Sequence, residues 1–172
     1  ADASYRLALQ EMGYRVGKAL AAKGALERYS VDFIAVPQPH QSETAWQLQA
    51  IEINLRKGGT THPFMALQML TDGRYSAKDG LFYTQHGQPK FYRATDNLQK
   101  ESYRGLLPND LMDIIMGEQL HFNAIEGAGA AFHLMGCLSE YGKLGLTCIG
   151  NTPAQAERIY RRVVAALDKE TR

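Results

Sequence analysis

Two short alternating segments, the second of them strict, constrain this chain more than anything else in it. In Ile51-Glu52-Ile53-Asn54-Leu55-Arg56 every second residue is apolar. Successive side chains of a strand point to opposite faces. Ile51, Ile53 and Leu55 are therefore expected on a core face, and Glu52, Asn54 and Arg56 on the other. The segment Val31 to Val36 alternates too, with Val31, Phe33 and Ala35 on one side and Asp32, Ile34 and Val36 on the other. A polar, proline-bearing stretch over residues 37–44 separates the two and suits a hairpin loop. A register that sets Val36 opposite Leu48 brings Asp32 opposite Glu52. It also pairs Phe33 with Ile51 and Val31 with Ile53 on the core face.

The rest of the chain mixes helices and hairpins. Tyr5, Leu9, Met12, Val16 and Leu20 recur at three- and four-residue steps and predict a helix over about 3–23 that stops at Gly24. Residues 58–63 read as a loop and 64–70 as helical. Residues 81–84 and 90–94 form a second expected hairpin, turned at His86-Gly87. A short helix follows Pro108, and residues 130–135 and 144–149 read as strands. The last helix has the plainest start: Thr152 as N-cap, Pro153 as first residue, Gln155 completing a capping box, and Ile159, Val163 and Leu167 as its buried stripe. Strand and helix do not alternate regularly, so the expected class is α+β, an antiparallel sheet with flanking helices. The length of 172 residues fits a single domain over 1–172.

Formal net charge is +1 and the basic residues are scattered, so no global field points to nucleic acid or to a membrane. The longest mostly apolar stretch, 128–138, is too short to span a bilayer. Cys137 and Cys148 are too few for a zinc site and read as reduced, buried thiols of a cytoplasmic protein, although a disulfide between neighbouring strands is also open. The chain begins Ala1-Asp2-Ala3, without a methionine, which suggests a processed or excised piece of a longer protein.

The chemistry concentrates on the polar face of the first strand pair. Two carboxylates directly opposite one another repel, and a bound cation would relieve this. Asp32, Glu52 and Asn54 offer hard oxygen ligands, which suit Mg2+. That ion takes one or two carboxylates from protein and completes its shell with waters and phosphates. Arg56 follows on the same face, and a guanidinium forks onto phosphate or carboxylate oxygens. In the loop Lys57-Gly58-Gly59-Thr60-Thr61, the glycines would let backbone N–H groups approach an anion. The same residues also fit a plain solvated face followed by a flexible loop.

Val31-Asp32-Phe33 followed by Ile51-Glu52-Ile53-Asn54 resembles the C-terminal end of the ATP-grasp fold. There an Asp on one strand and a Glu-x-Asn pair on the next hold the one or two magnesium ions that accompany ATP. The extension Glu52 to Gly59 is similar to carboxylate–amine ligases of that fold that make peptide bonds, such as the L-amino-acid ligases and carnosine synthase. The string Glu52 to Pro63, with Leu70 to Tyr75 after it, looks closest to the pheganomycin-type peptide ligases. The likeness is strongest over 14–75 and looser beyond.

The resemblance implies a carboxylate that attacks the γ-phosphate of ATP to give an acyl phosphate, which an amine then converts to an amide. It assigns Asp32, Glu52 and Asn54 to magnesium, and Glu52, Asn54 and Lys57 to the nucleotide. Arg56 falls to catalysis at the phosphoryl group or oxyanion. Arg56, Gly58, Gly59, Thr60 and His62 fall to the substrates. The phosphate-holding lysines and glycine-rich cover of the family's N-terminal half have no counterpart here, so that half is an expected partner and the isolated chain is expected to be inactive. The rival readings are a catalytically silent binding or assembly module, dimerising through its former cleft face, and a phosphate- or metal-binding regulator. A contact between His62 and a substrate carboxylate competes with a loop-capping role. His133 reads as a satisfied core histidine.

Overall fold

Residues 5–38 and 46–171 are described in a computed structural model, and the chain divides into two compact units, Ala1–Thr61 and His62–Arg172. The expected loop over 37–44 falls largely outside the described residues. The fold is α+β, with every ladder between named strands antiparallel and helices flanking the sheets, as expected. There are two sheets where one was expected.

The first unit holds helix α1 (Tyr5–Ala21) and strands β1 (Ser30–Pro37) and β2 (Trp46–Asn54). Tyr5, Leu9, Met12, Val16 and Leu20 are all half-buried, so the periodicity located the packed face of α1 correctly. Its partners on the sheet are the inward positions: Phe33, Ala35, Trp46 and Leu48 are half-buried, and the Tyr5 and Trp46 rings meet edge to face at 5.1 Å. The strands pair with Asp32 opposite Glu52 and Val31 opposite Ile53, as expected. Beyond that point the expected register fails. Phe33 faces Ala50 and Val36 faces Gln47, because a β-bulge between Asp32 and Phe33 leaves Ile51 as an extra residue on β2. The expected core face also fails. Ile51, Ile53 and Leu55 are 57%, 46% and 59% exposed; Ile51 is the extra residue of the bulge and Leu55 lies past the end of the strand at Asn54.

The second unit carries helix α2 (Thr61–Thr71, opening on the last residue of the first unit) and strands β3 (Arg74–Ser76), β4 (Leu81–Tyr83) and β5 (Pro89–Gln99). Helix α3 (Pro108–Gly117), strand β6 (Gly129–His133), helix α4 (Leu138–Tyr141), strand β7 (Lys143–Gly150) and helix α5 (Pro153–Glu170) follow. The strand order β3-β4-β5-β7-β6 places β7 between two neighbours. It is covered on both faces, which explains its near-continuous burial. Leu144, Leu146 and Cys148 enter the main core with Leu111 and Ile115 of α3 and Val163 and Leu167 of α5. Ile149 packs on the opposite face with Leu67 of α2 and Phe82 of β4. Burial pushes the Cys148 thiol up to about 12, against a lowering by Arg93, so it is an inert core group. Cys137 lies in a 3-10 turn, not on a strand, and both thiols are free.

Two junctions set the ends of α5. Thr152 Oγ1 accepts from the Gln155 N–H at 3.1 Å, as the capping pattern required. The Gln155 side chain, however, accepts from the Asn151 N–H at 2.7 Å, one residue before the cap, so the reciprocal half of the box is displaced. In the last turn the Asp168 carboxylate accepts from Lys100 Nζ at 2.6 Å and from the buried Tyr103 hydroxyl at 2.7 Å. Burial and then that carboxylate hold the Tyr103 hydroxyl well above its ordinary titration range.

Candidate functional site

The polar face of the first strand pair gathers the side chains singled out in the sequence. Asp32 and Glu52 are direct cross-strand partners and both are exposed. Asn54 Nδ2 donates to Asp32 Oδ2 at 3.5 Å, and Arg56 Nη2 donates to Asn54 Oδ1 at 3.3 Å. Among the described residues the Glu52 carboxylate has no hydrogen-bond or ion-pair partner. The face is thus a short polar chain, Asp32–Asn54–Arg56, with an unmatched carboxylate beside it. Arg56 does not reach this position by strand alternation. The strand ends at Asn54, and the Arg56 N–H donates to the Asn54 carbonyl at 2.8 Å in a three-residue turn that brings the guanidinium back toward the Asn54 amide.

The donor set fits magnesium. Two carboxylates and an amide oxygen are hard ligands, and Asn54 Oδ1 has a second lone pair beyond the one that Arg56 uses. No group of three or more His, Cys, Asp or Glu side chains among the described residues could hold a metal. That excludes a closed protein-only cage there, and magnesium, which prefers to keep waters and phosphate oxygens, does not need one.

Past the strand, Lys57 Nζ pairs with Glu27 Oε2 at 3.2 Å, and both side chains are well exposed. The Gly58 N–H already donates to Thr61 Oγ1 at 3.2 Å, while the Thr61 N–H donates to the Gly58 carbonyl at 2.9 Å. Residues 58–61 therefore form a turn that leads into α2. Gly59 and Thr60 are exposed within it.

His62 is exposed and lies edge to face with His133, ring centroids 4.0 Å apart. The expectation of a satisfied core histidine is corrected: His133 is half-buried and its Nδ1 is buried with no hydrogen-bond partner among the described residues. Burial, and next the neighbouring His62, lower its pKa, against an opposing pull from Asp96. The signal that sequence reading missed is Gly145. A Cβ there would lie 2.2 Å from His133 Nε2, so only glycine leaves room for the ring over β7.

Another missed residue is Lys90, 4% exposed on β5. Its Nζ donates to the Gly127 carbonyl at 2.7 Å and to Asn151 Oδ1 at 2.5 Å, and burial lowers its pKa. Nothing in its sequence context separates it from a surface lysine at a strand start.

A family profile described as the PGM1 C-terminal domain matches residues 110–163. The L-propargylglycine–L-glutamate ligase of Streptantibioticus cattleyicolor is 29% identical over 167 residues, which is 97% of this chain and 33% of that protein. The chain thus spans about a third of the length of this relative. No solved structure matches. The likeness read from the Glu-Ile-Asn strand therefore extends over nearly the whole sequence, and the chain resembles the C-terminal part of an ATP-grasp carboxylate–amine ligase of the pheganomycin-type group.

Proposed function

We propose that this chain supplies the magnesium- and phosphate-holding side of an ATP-dependent carboxylate–amine ligase that works through an acyl phosphate. The observation that carries the reading is the opposition of Asp32 and Glu52 across β1 and β2, with Asn54 bonded to Asp32 and Arg56 to Asn54. Glu52, whose carboxylate is unmatched, would hold magnesium together with Asp32 and Asn54. Magnesium, when bound with ATP, neutralises charge on the phosphate oxygens. Arg56, whose planar fork of donors matches phosphoryl and carboxylate oxygens, steadies the transferring phosphoryl group or the developing oxyanion. Lys57 would leave Glu27 to meet the nucleotide, an exchange of one exposed ion pair for another that costs little. Gly58, Gly59, Thr60 and His62 border the substrates.

The nucleotide cleft is completed by the N-terminal half of the same protein. The share of the relative that this chain spans, about a third, supports that division, and so do the exposed apolar side chains Ile34, Val36, Ile51 and Ile53 on β1 and β2. Those side chains also suit the second reading, a catalytically silent module that assembles through this sheet. A reaction that consumes ATP suits the cytoplasm. Among the described residues no helix is long and apolar enough to cross a membrane, a separate observation that does not bear on location.

In the whole protein, Glu52→Ala or Asn54→Ala should lower ATP-dependent ligation by about a hundredfold or more with an unchanged circular dichroism spectrum. Near-normal ligation in either variant sinks the assignment. Magnesium-dependent ATP binding, measured by calorimetry, separates the two readings, since the silent module should bind none.

A further inference from the structure

A cavity of about 540 Å³ opens between the N-terminal half of α5 and the loop after α3, and it uses none of the residues of the β1–β2 site. Its volume lies in the range of small-molecule pockets. Arg158 and Arg162, four residues apart and so on one side of α5, both line it. Like charges at that spacing repel unless an anion lies between them or each finds its own counter-ion. Neither arginine has found one. Among the described residues Arg158 has no hydrogen-bond or ion-pair partner, and Arg162 donates only to the Glu118 carbonyl at 3.1 Å. The neighbouring acid on the helix, Glu157, is already engaged by Arg161 at 2.9 Å and Arg93 at 3.4 Å.

The facing wall is polar as well. His121 lines it, and its Nδ1 is buried without a partner. Asn123 shapes the wall by accepting the Ile125 and Glu126 N–H groups on its Oδ1, at 2.8 and 3.2 Å. Glu126 is the one carboxylate that lines the cavity, against two guanidinium groups. The balance is cationic, with the excess on α5. Every lining residue lies between 119 and 162, inside the stretch that matches the PGM1 C-terminal domain.

We propose that this cavity is an oxyanion-binding site for a small molecule that carries a carboxylate or phosphate group, held by Arg158 and Arg162. A planar fork of donors matches either group. Glu126 limits the ligand to one whose negative charge is confined to the end that meets α5.

The test is a nuclear magnetic resonance titration of the intact chain with inorganic phosphate and, separately, with succinate, at constant ionic strength and with chloride as control. Saturable shifts at amides of both 119–129 and 155–162 are expected with at least one of the two probes, and which probe saturates tells phosphate from carboxylate. Arg158→Gln alone should weaken that binding, and Arg158→Gln with Arg162→Gln should weaken it by about tenfold or more. Glu126→Gln should tighten it. Arg158→Gln removes no hydrogen bond or ion pair found among the described residues, so it keeps the test open if the double variant is unstable. Shifts with both probes that match chloride, or saturable binding that survives Arg158→Gln unchanged, overturn the proposal.

Discussion

His133 sits where its protonated form is disfavoured. Burial and the adjacent His62 ring lower its pKa below the ordinary histidine value of 6.5, with Asp96 pulling weakly the other way. The sign of the consequence follows from linkage. The unfolded chain takes up a proton at 6.5 and the folded chain resists it, so the contribution of His133 is full above that value and is lost as pH falls through it. The thermal midpoint should therefore drop as pH is lowered from about 7 to about 5, and His133→Gln should flatten that part of the profile. An identical slope in the variant would remove His133 from the account. At this scale the sequence was a poor guide to surroundings. Asp32, Glu52, Asn54 and Arg56 could be named from chemistry and spacing. That His133 lies under His62 and over Gly145 could not, because the contact with His62 joins β6 to α2, far away in the chain, and the fit over Gly145 depends on the register of β6 and β7.

Among the elements, β5 carries the least anticipated tie. Lys90 places a buried ammonium between the Gly127 carbonyl and the Asn151 side chain, joining the loop before β6 to the turn before α5. Lys90→Met keeps the stem and removes both donations. It should cost about 1–3 kcal/mol of stability through the acceptors left unpaired, read from denaturant unfolding; an unchanged midpoint would show that water replaces the ammonium. The helices were the most legible elements. The apolar face of α1 and the Thr152-Pro153 start of α5 are written in local spacing and capping chemistry. The strands were less so. The pairing of Asp32 with Glu52 was legible, whereas the bulge that displaces Ile51 was not, because both registers satisfy the polar–apolar alternation.

For the whole molecule, burial is divided unevenly between the two units. Among the described residues of the first unit only Thr61, at its boundary, is fully buried, whereas β7 in the second unit is buried from Leu144 to Gly150. Local opening is cheapest where few buried contacts are broken. Amide hydrogen exchange should therefore be fastest in β1 and β2 and slowest in β7, with protection differing by about a hundredfold or more. Comparable protection in both would overturn this division of stability.

The sequence by itself determined the class of the fold, the packed face of α1 and the start of α5, and it named the residues of the candidate magnesium face, because periodicity, capping and side-chain chemistry act over a few residues or across one strand pair; the start of α2 at Thr61, inside the expected loop over 58–63, was not legible. Only the tertiary structure decided that the apolar residues around the Glu-Ile-Asn strand lie exposed, that a lysine is buried on β5, and that two arginines of α5 share a cavity with His121. Burial and cavity shape depend on which elements meet, and no local pattern records that.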